Sequence, residues 1–280
     1  MRLTFNLLRC ALAGVFAGCW FIAASAAHAY EKVDKKIDKI LAAEHRDPAN
    51  VARDEFRHPK DTLMFFGIQP AMTVIEIWPS GGWWTEILAP LLKEHGKYYA
   101  AYIVADAPGM PAYLREREKA FDAMLAAKPD VYGKVIKTKL LPPKWTEIAP
   151  AGSADMVLTF RNVHNWAKAG NADAMFKAFY DALKSGGVLG VKDHRALPGT
   201  SFQQQIDTGY MTEEWVIGAA QKAGFKLAEK SEINANPKDT KDHPVGVWTL
   251  LPTLRLGDKD KAKYVAIGES DRMTLKFIKP

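Results

Sequence analysis

Two histidines stand in the most chemically suggestive surroundings of this chain. His164 lies in "RNVHNW", shortly after Arg161 and Asn162, and His194 lies in "VKDHR", between Asp193 and Arg195. An imidazole titrates near neutral pH, so either ring could serve as a general base. In extended backbone Asp193 and His194 point to opposite faces, so Asp193 cannot orient its own neighbour. Its expected partner is Arg161 or Arg195. The alternative for each histidine is a hydrogen-bonded structural ring. His164, His194 and His243 could together furnish a metal site, but no tight ligand spacing supports one, and no metal is expected. A G-x-S-x-G elbow and a phosphate-cradling P-loop are both absent from the sequence.

A second group of residues sits in "VIEIWPSGGWWTEI", Val74 to Ile87. The stretch begins as an apolar strand and ends as a helix. Between them lies a turn of Trp78, Pro79, Ser80, Gly81 and Gly82, with Trp83 and Trp84 beyond. A strand, a glycine turn and a helix together form a common cradle for nucleotide-like cofactors. Glu76 is costly near the end of a buried strand unless hydrogen-bonded, and turn amides or a ligand are expected to satisfy it. Trp83 either packs beneath the sheet edge or stacks on a ligand. Arg53 and Arg57, four apart, share one helical face. They read either as a solvated face with a local ion pair or as a lid over an anionic ligand group.

The elements that must position these residues follow from periodicity. Val33, Ile37, Ile40 and Leu41 recur at helical spacing. Asp47-Pro48 reads as an N-cap opening a second helix, and a short helix from Lys60 to Phe66 ends at Gly67. Strands are expected at Thr73–Trp78, Lys97–Val104, Val135–Leu140, Met156–Phe160, Val188–Val191, Lys226–Glu229 and Arg272–Ile278. Helices are expected at Thr85–Leu92, Pro111–Ala127, Ala172–Leu183 and Thr212–Ala223, the last capped by Gly224. Lys184 to Gly187 reads as a turn. This alternation predicts an α/β fold: a mostly parallel sheet with helices on both faces. Ligands of such sheets bind beyond the carboxyl ends of the strands. That rule gathers Trp78–Trp83, Tyr102, Arg161–Trp166 and Lys192–Arg195 at one edge. The segment 231–270 breaks the rhythm and reads as a long excursion before the last strand.

The chain has 280 residues and two cysteines. Arg2 and Arg9, an apolar run from Cys10 to Ala26 and the triplet Ala27-His28-Ala29 predict a signal peptide over 1–29. An uncleaved anchor and a lipobox ending at Cys19 are the alternatives. Cleavage would deliver the protein to the periplasm or the exterior, with no stable membrane span. Both cysteines, Cys10 and Cys19, would leave with the leader, which excludes disulfides, thiol nucleophiles and thiolate metal sites from the mature chain. The formal charge of +6 is mild and dispersed, so nucleic acid is not an expected partner. The expected organisation is an N-terminal helical segment over 30–70 and an α/β unit over 71–280.

Together "VIEIWPSGGWWTEIL", "SADMVLTFRNVHNW", "FYDALKSGGVLGVKD" and "AQKAGFKL" resemble the class I S-adenosylmethionine-dependent methyltransferases. More narrowly they are similar to a group of exported bacterial predicted methyltransferases. That group is marked by a Trp-Pro-glycine turn, an R-N-x-H segment and a D-H-R segment. The resemblance covers roughly Asp47 to Pro280. It implies a seven-stranded Rossmann-like sheet with an antiparallel last strand, and S-adenosylmethionine as cofactor. It assigns cofactor contacts to Glu76, Trp78, Ser80, Gly81, Gly82, Trp83, Tyr102, Arg161 and Asn162, and chemistry to His164, Asp193 and His194. The departures are specific. Trp78 and Ser80 stand where glycines let the backbone approach the cofactor. Tyr102 stands where an acid usually grips the ribose, and Asp106 follows four residues on. These departures, and export away from the compartment where the donor is made, count against cofactor use. Three functions therefore remain open: a small-molecule methyltransferase, a ligand-binding or interaction module that keeps only the fold, or another enzyme at the same edge. The oligomeric state is not legible.

Overall fold

The structure is a computed structural model that describes residues 30–280; the predicted leader lies outside the described residues. Seven strands form one sheet: β1 (Thr73–Ile77), β2 (Lys97–Tyr102), β3 (Ile136–Lys139), β4 (Ala154–Phe160), β5 (Leu183–His194), β6 (Lys226–Ser231) and β7 (Arg272–Ile278). Their spatial order is β3-β2-β1-β4-β5-β7-β6. Neighbours from β3 to β5 pair in parallel, and β7 runs antiparallel to both β5 and β6. This is the Rossmann-like arrangement expected from the sequence. The order reverses between β1 and β4, the position at which open sheets of this kind usually bind ligands beyond the strands' carboxyl ends.

Helices cover both faces. On one face α5 (Thr85–Leu92), α4 (Pro59–Phe66), α7 (Pro129–Tyr132) and the first helix, α1 (30–41), pack on Val74, Ala100, Met156 and Leu158. On the other, α8 (Val163–Ala169), α9 (Ala172–Ala182) and α11 (Glu213–Lys222) pack on Ile75, Val157, Leu189 and Val191. Alternate residues of β1 and β4 thus enter two cores, which explains why both strands read as continuous apolar runs. The apolar positions of α9, Met175, Phe176, Phe179 and Ala182, recur at helical spacing and are all buried. Pro90 lies inside α5 and cannot donate to the carbonyl of Glu86; His45 Nε2 donates there instead, at 2.7 Å.

Several boundaries differ from expectation. β1 stops at Ile77 because Trp78 already has a left-handed backbone, φ 49°. The second helix is two short ones, α2 (Pro48–Val51) and α3 (Asp54–Arg57), with Asp47 capping the first as expected. The expected turn at Lys184–Gly187 belongs to β5, which pairs with β4 across a register shift between Ala154 and Met156. Ala223 caps α11, and Gly224 follows it at φ 105°. Four short helices were not legible: α7, α8, α10 (Phe202–Thr208) and α12 (Lys261–Ile267). None exceeds seven residues, too few turns for an apolar period to show. In the 231–270 segment, α12 and a single 3-10 turn at Gly246–Thr249 are the helical elements. No described helix is long and apolar enough to cross a membrane.

Candidate functional site at the β4–β5 edge

β4 and β5 end side by side, and each delivers a histidine to the same place. After β4 the chain turns at Arg161, φ 62°, whose amide bonds the Lys192 carbonyl of β5 at 2.7 Å. Asn162 then pins β4 to β1, donating from Nδ2 to the Ile77 carbonyl at 2.9 Å. His164 falls in the first turn of α8 and is buried. Asp193, fully buried, accepts from the amides of Val163 (2.6 Å) and His194 (2.7 Å) and from His164 Nδ1 (3.3 Å). A carboxylate only accepts, so the proton of His164 sits on Nδ1 and leaves Nε2 as the basic atom. Asp193 thus orients the histidine of the other strand end. The expected partnership with Arg195 is corrected: Arg195 binds Asp271, Glu213 and Glu232.

The His194 ring stands 5.5 Å from that of His164, centre to centre. Its Nδ1 meets the hydroxyl of Ser270, just before β7. Burial and the neighbouring His164, Arg272 and Arg161 push its pKa well down, so it stays a neutral imidazole. His243 does not join them; it donates to Asp239 at 2.8 Å. Donor atoms of His164, Asp193 and His194 all lie within 4.8 Å of one another, so these three could hold a cation. The surrounding charge opposes it, because positive side chains converge on the same edge.

Those side chains surround Glu269, which directly precedes Ser270. Arg53 Nε donates to it at 2.7 Å, Arg57 Nε at 3.2 Å, and Arg272 through Nη2. Burial alone would raise its pKa; Arg272, Arg57, Arg161 and Arg53 instead hold it well below the usual carboxylate range. Lys192, buried on β5, donates to the Arg57 carbonyl and lies over Trp84 at 4.7 Å. Burial, then Arg272 and Arg57, push its pKa well down. The solvated-face reading of Arg53 and Arg57 is therefore corrected for Arg57, which is buried. The sequence signal for the rest was the run Glu269-Ser270-Asp271-Arg272 abutting the last strand.

The turn after β1 tells a mixed story. Trp78, Ser80 and Gly82 all take positive φ, 49°, 55° and 80°, so the backbone path of a glycine turn survives without two of its glycines. Ser80 and Gly81 are exposed, and nothing lies within 4 Å where a Gly81 side chain would start. Among the described residues the amides of Ser80 and Gly81 meet no acceptor. This outer lip fits a cofactor's polar end. The inner side is filled. Tyr102 donates to the Ser80 carbonyl at 3.0 Å and packs on Phe121, and Met124 lies 2.7 Å from where a Gly82 Cβ would be. Trp78 donates to the Leu140 carbonyl and meets Trp166 edge-on. Trp83 donates to Asn50 and carries Arg57 over its face at 4.6 Å, so it packs within the protein. Glu76 is satisfied by Thr85 and Tyr98 and not by turn amides.

No protein-family model and no curated protein sequence matches the chain. Solved structures do. A SAM-dependent methyltransferase from Aquifex aeolicus aligns with TM-score 0.53 at 16% identity, over 88% of this chain and 98% of its own. The cyclase SpnF aligns with TM-score 0.52 at 14% identity, over 80% of each. A Haemonchus contortus phosphoethanolamine N-methyltransferase in complex with S-adenosyl-L-methionine aligns with TM-score 0.51 at 16% identity, over 88% of this chain and 60% of its own. The chain therefore has the fold of the class I S-adenosylmethionine-dependent methyltransferases.

Proposed function

We propose that this protein is an exported S-adenosylmethionine-dependent methyltransferase-like enzyme acting on a small molecule, with the β4–β5 edge as its reacting edge. The observation that carries the reading is the left-handed backbone at Trp78, Ser80 and Gly82, preserved through two non-glycine residues. A bulky residue adopts that conformation at a cost, and such strain concentrates at functional sites. Ser80, Gly81 and Asn162 would hold the cofactor, which when bound supplies a methyl group on a positively charged sulfur. The chain's own part is orientation and proton handling. Asp193 fixes the tautomer of His164, and His164 Nε2 takes the proton of the acceptor group where one must leave. His194, neutral and tied to Ser270, walls the same space. Export rests on the predicted leader over 1–29.

A second reading is favoured by the contacts of Tyr102, Phe121 and Met124 beneath the turn: a ligand-binding module that keeps the fold without the transfer. Titration calorimetry of the protein with S-adenosylmethionine and S-adenosylhomocysteine separates the two. The enzyme reading expects saturable micromolar binding of both. With a methyl acceptor in hand, His164→Ala then lowers turnover by about 10²–10⁴-fold and leaves the unfolding temperature in place. Heatless titrations of a cooperatively folded protein leave the module.

A further inference from the structure

The charges around Glu269 do not balance. Arg53, Arg57, Arg161 and Arg272 all act on this one carboxylate, with Lys192 behind them. Two further acids lie within reach: Asp193, which is committed to two amides and His164, and Glu76, which feels Arg57 but whose pKa is pushed up to about 7, mainly by burial. Asp271 is held by Arg195 and Lys241. The excess shows in the hydrogen bonds as well. Arg53 Nη2, Arg57 Nη2 and Arg272 Nε are buried without a partner. The Arg161 guanidinium, partly exposed, donates to no described residue, although Glu269 and Asp193 lie within electrostatic range. Burial, followed by the neighbouring arginine, pushes the pKa of Arg57 well down, and that of Arg161 falls to about 10. Uncompensated buried cations with idle N–H groups are costly unless a ligand completes them.

We propose that this arginine cluster binds a doubly charged oxyanion, a phosphate-class group carried by the substrate. Arg161 and Arg53, the members nearest solvent, grip it, while Arg57 and Arg272 supply field from behind. A single carboxylate would only repeat what Glu269 already provides; several oxygens bearing two charges match the idle donors on separate arginines. The sign of the cluster also argues against a cation between His164, Asp193 and His194. A cavity of about 170 Å³, walled by Glu55, Phe56, His58, Asn234, Lys238 and Ser270, reaches the cluster at Glu269, though none of the arginines lines it, and gives room for a small substrate body beside them. Naming the anion's carrier a substrate rests on the enzyme reading above; the anion site itself does not need the methyl donor.

The test is calorimetric titration of the purified protein with inorganic phosphate at low ionic strength, with acetate and S-adenosylmethionine titrated in parallel. Saturable phosphate binding is expected, weakened at least tenfold in Arg161→Gln and unaltered in Lys177→Gln, which lies on the far exposed face of α9. Arg53→Gln gives a second reading of the same loss should Arg161→Gln fold poorly. Absence of saturable phosphate binding, acetate bound as tightly as phosphate, or undiminished affinity in a folded Arg161→Gln overturns the assignment. Phosphate binding without S-adenosylmethionine binding keeps the anion site and sinks the methyltransferase; the opposite pattern sinks the anion site alone.

Discussion

Glu76 is buried within β1 with a pKa pushed up to about 7, mainly by burial and opposed by its bonds from Tyr98 and Thr85. Its folded value exceeds the ordinary 4.5. The folded state therefore holds the proton more tightly, and this residue's stabilisation is full below pH 4.5 and fades as the pH rises towards 7. The shift corresponds to about 3 kcal/mol. Glu76→Gln, measured by urea denaturation from pH 4.5 to 8, is expected to flatten that slope and to exceed the parent in stability at pH 8. An unchanged slope would show that the carboxylate is charged throughout. At this scale the sequence marked Glu76 as needing partners but not which ones, because Tyr98 reaches it only once β1 and β2 are in register.

The segment α2–α4 is tied to the start of β7 by Arg53, Arg57 and Glu269, residues more than two hundred positions apart in the chain. Glu269→Gln would leave three hydrogen-bonded guanidiniums without their counter-charge, at a cost of about 3–5 kcal/mol. Its pKa is depressed, so its contribution is present above pH 4.5 and lost as acid is added. Urea denaturation at pH 7 is expected to register this loss, and added phosphate to narrow it. A change below about 1 kcal/mol would mean the carboxylate carries little of the load. The arginine pair was legible as one helical face. The acid that anchors it was not, since no local pattern links Arg57 to Glu269.

Over the whole molecule, the N-terminal helix shares a core with the sheet. Ile37 is fully buried among residues of the cluster that includes Leu63, Leu91 and Met156. Ile37→Ala is expected to cost about 2–5 kcal/mol and to preserve a single cooperative transition in urea. Two separated transitions would instead mark α1 as an independently melting arm. The likeness to both a methyltransferase and a cyclase at this scale leaves the reaction to the site. The alternation of strands and helices, and hence a mostly parallel sheet with helices on both faces, was readable from the chain because periodicity is local; the antiparallel last strand came only with the resemblance to the methyltransferases. So were His164 and Asp193 as edge residues, since strand ends set the edge. Which side chains meet there was decided only by tertiary packing. Asp193 chose a histidine from the neighbouring strand end, Tyr102 closed onto the turn, and Glu269 gathered arginines from both ends of the chain. Such pairings depend on strand register and on burial of charge, which no window of sequence contains.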